Sequence, residues 1–167
     1  MGSNRLPLRE LVLYALLGAV MYGGKMALAA LPNIEPVSLL VIVYTLVFGW
    51  KALWPIYLYV FLEWVTWGIS AWSVNYLYIW FLLFLVTRAL RRMDNPLSWA
   101  VLAGGFGLCF GLLCAPVYGF IGGWGYAVSW WVSGIPYDLL HCGGNFAMTL
   151  LLYKPCLRVL RELKARY

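Results

Sequence analysis

The chain has 167 residues, of which 64% are hydrophobic and only 11% charged, less than half the charged share of a water-soluble domain. That balance excludes a water-soluble enzyme, a nucleic-acid module and a disordered tail. The net charge of +6 accompanies a mean hydropathy of +0.82, which points to the positive-inside bias of a membrane protein rather than to nucleic acid.

A helix needs about 20 apolar residues to cross a bilayer, and that ruler cuts the chain into six spans. The first covers residues 11–30; it is too long for the apolar region of a signal peptide and lacks a small-residue cleavage site, so it is expected to remain as a span. Leu31-Pro32-Asn33-Ile34-Glu35-Pro36 closes it, because neither proline can continue a helix. The second span, 37–49, is short: it is either little tilted or preceded by a loop that dips into the membrane. The third covers 52–72 and the fourth 76–90. The fifth follows Asn95-Pro96 and covers 97–121, and the sixth covers 136–154 from Pro136 onward. The fold expected is an all-α integral membrane protein, one domain over residues 1–167 built as a six-transmembrane-helix bundle. After Pro155, residues 156–167 set Leu157, Leu160 and Leu163 against Arg158, Arg161 and Lys164, the pattern of an amphipathic helix at the cytoplasmic headgroups.

Six spans place both termini on one side. Arg5, Arg9, Lys51, Arg88, Arg91, Arg92 and the cations from Lys154 to Arg166 all fall there, whereas the opposite loops contain no Lys or Arg. The positive-inside rule makes that side cytoplasmic and the protein a multi-pass component of the plasma membrane, with lipid as its solvent.

Cys109, Cys114, Cys142 and Cys156 form no C-x-x-C pair, so neither a zinc knuckle nor a thioredoxin-like motif is available. The 10 Trp and 12 Tyr exceed what two interfacial belts require. They suit either an aromatic girdle or a stacking pocket for a flat ligand that opens to the outside.

Setting aside the cytoplasmic charges leaves Lys25, Glu35, Glu63, Asp138 and the single His141. An ionisable group inside a span is expensive, and so marks function by default. Tyr59, Glu63 and Trp67 recur at i, i+4 and i+8 and share one helix face. They form half of a ligand site, unless Glu63 is only the partner of Lys25 in a bundle-internal ion pair. Asp138, His141 and Asn145 likewise form a polar stripe on an apolar helix, serving either a ligand or hydrogen bonds between helices. With no G-x-S-x-G, no H-E-x-x-H and one histidine, no hydrolase triad or multi-histidine metal site can be assembled. Binding is expected rather than catalysis, with no cofactor and no metal. Ala15-x-x-x-Ala19, and Gly104, Gly107 and Gly111, are ridges that let helices approach closely.

About six spans, cytoplasmic termini, Ala15-x-x-x-Ala19, the Leu31–Pro36 loop leading into Val37-Ser38-Leu39-Leu40, and Ile135-Pro136-Tyr137-Asp138-Leu139-Leu140-His141 with Asn145-Phe146 together resemble the substrate-binding S components of energy-coupling factor transporters. These are vitamin-uptake systems of prokaryotes. The resemblance implies a prokaryotic plasma membrane, and partnership with a transmembrane coupling subunit and two ATPase subunits. Ala15 and Ala19 would face the coupling subunit, and the Leu31–Pro36 loop would help close the pocket. ATP chemistry would belong to the partners, in keeping with the lack of a Walker motif here. The expected binding set is Glu63, Trp67, Asp138, His141 and Asn145, with Lys25 and Glu35. Three acids against one lysine among many aromatic rings suit a small heteroaromatic ligand that is neutral or cationic. Two rivals are a non-transporting envelope scaffold similar to the cell-shape protein MreD, and a small membrane enzyme using Asp138 and His141.

Overall fold

A computed structural model describes residues 7–166. Arg5, one of the expected cytoplasmic cations, and Tyr167, at the end of the expected tail, lie outside the described residues. Among the described residues the fold is all helical, with no strand. Four stretches are long and apolar enough to cross a membrane: Leu8–Ala27, Val37–Trp67, Ala71–Ala89 and Pro96–Ala165. Their outward faces carry exposed apolar side chains such as Leu16, Val20, Val65 and Leu151, which is compatible with membrane insertion.

The first helix, α1 (Leu8–Ala27), starts behind Pro7, three residues before the apolar run, and carries Glu10 in its first turn, where a carboxylate suits the helix dipole. It ends at Leu28. The chain then turns through residues 28–36, with Asn33 at φ 55. Helix α2 (Val37–Phe48) is buried along nearly its whole length. A helix that is apolar all round belongs at the centre of a bundle, and α2 packs there against α4 and α6. Its shortness is that of a core element.

Gly49 (φ 62) breaks the helix, and one tight 3₁₀ turn, Gly49–Ala52, leads into α3 (Leu53–Trp67). Helix α3 runs along α1, where Gly18 lies against Leu58. It stops at Gly68 (φ 78), inside what hydropathy alone reads as one apolar run. Ser70 then caps α4 (Ala71–Ala89): its hydroxyl accepts from the Ser73 backbone N–H at 3.3 Å, and the Ser73 hydroxyl accepts from the Ser70 N–H at 2.8 Å. That reciprocal cap starts α4 five residues before the expected span.

Helix α5 (Pro96–Leu108) opens on Asn95, whose side-chain oxygen accepts from the Leu97 N–H at 2.9 Å. After Cys109 comes α6 (Phe110–Ala165), which reverses at Gly123 (φ 80, ψ 174). Residues 96–122 therefore run antiparallel to residues 124–165. Trp99 stacks on Tyr153, Gly104 meets Cys142 and Phe146, Gly107 meets His141, and Tyr118 stacks on Trp130 with ring centroids 3.9 Å apart.

Pro136 and Pro155 lie inside α6 rather than at its ends; each removes one donor, and packing against neighbouring helices carries the helix through. Residues 156–165 thus continue the last helix. Leu157 and Leu160 of the expected amphipathic tail are buried against the bundle. Lys164 Nζ donates to the Val47 carbonyl at 2.6 Å, satisfying an orphan acceptor at the end of α2.

Candidate functional site

Helix starts and stops at one end of the bundle leave a cavity of about 510 Å³ between α1, the 28–36 turn, α3, α4 and α6. The turn lies over it and is anchored at three points. Asn33 Nδ2 donates to the Tyr137 carbonyl at 3.1 Å. Pro36 sits so close to Gly24 that a Cβ there would come within 2.8 Å of its ring, and Ile34 lies over Gly144 at 3.2 Å by the same measure. Glycine at both positions lets the turn seat directly on the helix backbones.

Helices α1, α3 and α4 bring three polar groups to one wall. Lys25 Nζ pairs with Glu63 Oε2 at 2.5 Å and donates to the Tyr76 hydroxyl at 3.2 Å. Trp72 Nε1 donates to the same hydroxyl at 3.1 Å. The ammonium lies 5.1 Å from the Tyr76 ring centre and 5.9 Å from that of Tyr59, within cation–π range. The internal ion pair is therefore present, yet it consumes only half of the carboxylate: Glu63 Oε1 is buried with no partner among the described residues.

His141 of α6 lines the same cavity. It is 2% exposed and edge-on to Phe110 with centroids 4.8 Å apart, and neither ring nitrogen has a hydrogen-bond partner among the described residues. Unpaired buried polar atoms cost on the order of 1–3 kcal/mol each, so a cavity lined by two such residues is a ready place for a polar ligand. Glu35 lies in the turn, half-buried on the same cavity. Burial pushes its carboxyl up to about 7; Lys25 pulls against that rise and Glu63 adds to it.

The structure brings Lys25, Glu35, Glu63, Trp67 and His141 together on this cavity. Asp138 and Asn145 do not line it. Asp138 Oδ1 accepts from the Gly111 N–H at 3.0 Å, supplying a cap to the helix that restarts after Cys109. Its carboxylate lines a neighbouring hollow of about 310 Å³ that shares Asn33, Trp72 and Phe110 with the first. Asn145 Nδ2 donates to Ser38 Oγ of α2 at 3.0 Å. The glycine ridge, Gly104 and Gly107 of α5 with Gly111 at the start of α6, and the polar stripe further along α6 are two halves of one contact: a Cβ on Gly107 would come within 2.7 Å of the His141 carbonyl, and one on Gly111 would clash with the Asp138 carboxylate.

Ala15 and Ala19 face outward from α1, and Ala15 edges a shallow groove with Leu11, Trp54 and Leu58. Sequence reading missed Phe110, which has no polar signature, and Thr149, buried without a partner among the described residues one turn beyond Asn145. The i+4 spacing of Thr149 from Asn145 is a signal that extends the stripe. Among the described residues no three His, Cys, Asp or Glu side chains are grouped to hold a metal ion. No protein-family model matches the chain, and neither a curated protein nor a solved structure matches it.

Proposed function

We propose that this chain is a membrane-embedded binding subunit similar to the S components of energy-coupling factor transporters, capturing a small heteroaromatic vitamin or precursor from outside a prokaryotic cell. The observation that carries this reading is the cavity of about 510 Å³ with Glu63 and His141 on its walls, where Glu63 Oε1 and both His141 ring nitrogens have no hydrogen-bond partner among the described residues. A site of that volume suits a vitamin-sized molecule.

The membrane arrangement proposed is six passes with both termini cytoplasmic. Two stretches, of 31 and 70 residues, would run about 46 and 105 Å if straight at 1.5 Å per residue, well beyond the ~30 Å apolar core. Each contains a positive-φ glycine, Gly49 and Gly123, and each is read as two passes. The cavity lies at the end of the bundle opposite the Lys51–Glu10 pair and Lys164. With the cations read as cytoplasmic by the positive-inside rule, the ligand site is read as facing outside. The outward Ala15 and Ala19 are the proposed contact for a coupling subunit, and two ATPase subunits would supply the energy.

Affinity purification of the membrane-expressed chain tests this reading. A coupling subunit and ATPases should accompany the native protein and be lost from an Ala15→Leu/Ala19→Leu variant that still retains its small molecule. Unchanged assembly in that variant contradicts the docking assignment, and a native protein with neither partner nor small molecule contradicts the whole reading. The Lys25–Glu63 pair favours the MreD-like scaffold to this extent: it ties α1 to α3 without any ligand. A scaffold, however, holds no small molecule.

A further inference from the structure

The two adjoining hollows are unbalanced in charge. Glu35 and Glu63 line the first and Asp138 the second, and Lys25 is the one Lys or Arg among the described residues lining either. That lysine is engaged by Glu63 and Tyr76. No ion pair among the described residues includes Glu35 or Asp138. Glu63 and Asp138 are each 4% exposed, and each keeps one carboxylate oxygen without a partner among the described residues.

The remaining walls are π faces. Trp67, Trp72, Tyr76 and Phe110 line the first hollow, and Trp130 joins Trp72 and Phe110 on the second. Ring faces and carboxylates attract positive charge by separate terms, and both strengthen where water is thin. An anion meets repulsion from both. In the first hollow Glu35 and Glu63 against Lys25 leave one carboxylate in excess; a neutral ligand leaves that charge uncompensated, at a desolvation cost that one cationic group removes.

Resting on the reading of the cavity as a ligand site, we infer that the ligand is a flat organic monocation, its charge held against Glu35 and the aromatic walls. The neutral alternatives admitted by composition alone are thereby set aside. Charge neutrality also gives the ion pair a role: with Lys25 held by Glu63, the lysine is withdrawn from the ligand, and Glu35 is left to select charge.

A ring series that changes charge but little else tests this on the full-length protein in detergent at pH 8, by equilibrium dialysis. The probes are N-methylpyridinium-3-carboxamide (cation), pyridine-3-carboxamide (neutral) and pyridine-3-carboxylate (anion), each repeated on a quinoline frame. The cation should bind about tenfold more tightly than the amide, with the carboxylate weakest. Glu35→Gln should narrow the cation-to-amide ratio to about threefold or less while the melting midpoint stays that of a folded protein. Carboxylate binding as tight as cation binding overturns the charge inference and leaves the cavity reading standing. A ratio untouched by Glu35→Gln overturns the role of Glu35. Binding of no probe, in either frame, overturns the inference and the cavity reading together.

Discussion

Lys25 and Glu63 form a buried ion pair on the wall of the cavity. Glu63 is nearly fully buried and Lys25 mostly so, so removing one partner strands the other in a low-dielectric bundle. Lys25→Met is expected to cost about 3 kcal/mol of stability, whereas Lys25→Met/Glu63→Leu recovers most of the loss; thermal melting in detergent reads both. Glu35 supplies a pH signature. It faces Lys25, Glu63, Tyr76 and His141 across the cavity, and its carboxyl stands near 7 instead of the ordinary 4.5. The folded chain therefore holds a proton that the unfolded chain releases. The stability this contributes is complete below pH 4.5 and is lost as pH rises through 7. Affinity for a cation runs the other way, rising by up to about tenfold between pH 6 and 8 as the carboxylate forms, and Glu35→Gln flattens that rise. At this scale ionisable groups in apolar runs stand out in the sequence, and Lys25, Glu35, Glu63 and His141 do line one cavity. Their partners were not legible: the Lys25–Glu63 register depends on how α1 packs on α3, and Asn145 finds Ser38 107 positions away.

At the scale of elements, the contact between α5 and α6 makes a sharp comparison. Ala at position 107 would press a methyl group into the His141 carbonyl and Asn145, with the nearest atoms at 2.7–2.9 Å, whereas position 105 of the same helix faces open space. Gly107→Ala is expected to lose about 1–3 kcal/mol of stability by overpacking against backbone. Gly105→Ala is expected to be neutral or to gain up to about 1 kcal/mol from helix propensity. Unfolding of the two variants under one condition checks the opposite signs. Both the ridge and the stripe were visible in sequence, but not that each completes the other, because their antiparallel alignment is set by the turn at Gly123. Helix boundaries were least legible where apolarity runs on without interruption. Gly68 and the Ser70 cap divide α3 from α4 within such a run, and Pro136 and Pro155 suggested ends that packing overrides.

For the whole molecule, the separation of charge fixes what can be tested. Lys51 pairs with Glu10 at 2.7 Å, Arg88 lies over Trp50 and Lys164 reaches α2, all at one end, while the cavity and its covering turn occupy the other. Under the six-pass proposal a fluorescent protein fused after residue 167 should fold and fluoresce in the cytoplasm, and a cysteine placed at Asn33 should react with a membrane-impermeant thiol reagent from outside. The reverse labelling contradicts the proposed orientation. Composition made the all-helical, apolar character of the chain plain. The central place of α2 was hidden in a span read only as short.

Native mass spectrometry of the gently extracted protein, compared with a Glu63→Ala/His141→Ala variant, tests the central claim most directly. The native chain should carry one small-molecule adduct and the double variant, still folded, should not. A native chain that flies bare, or an adduct held equally by both, contradicts a ligand seated against these two residues.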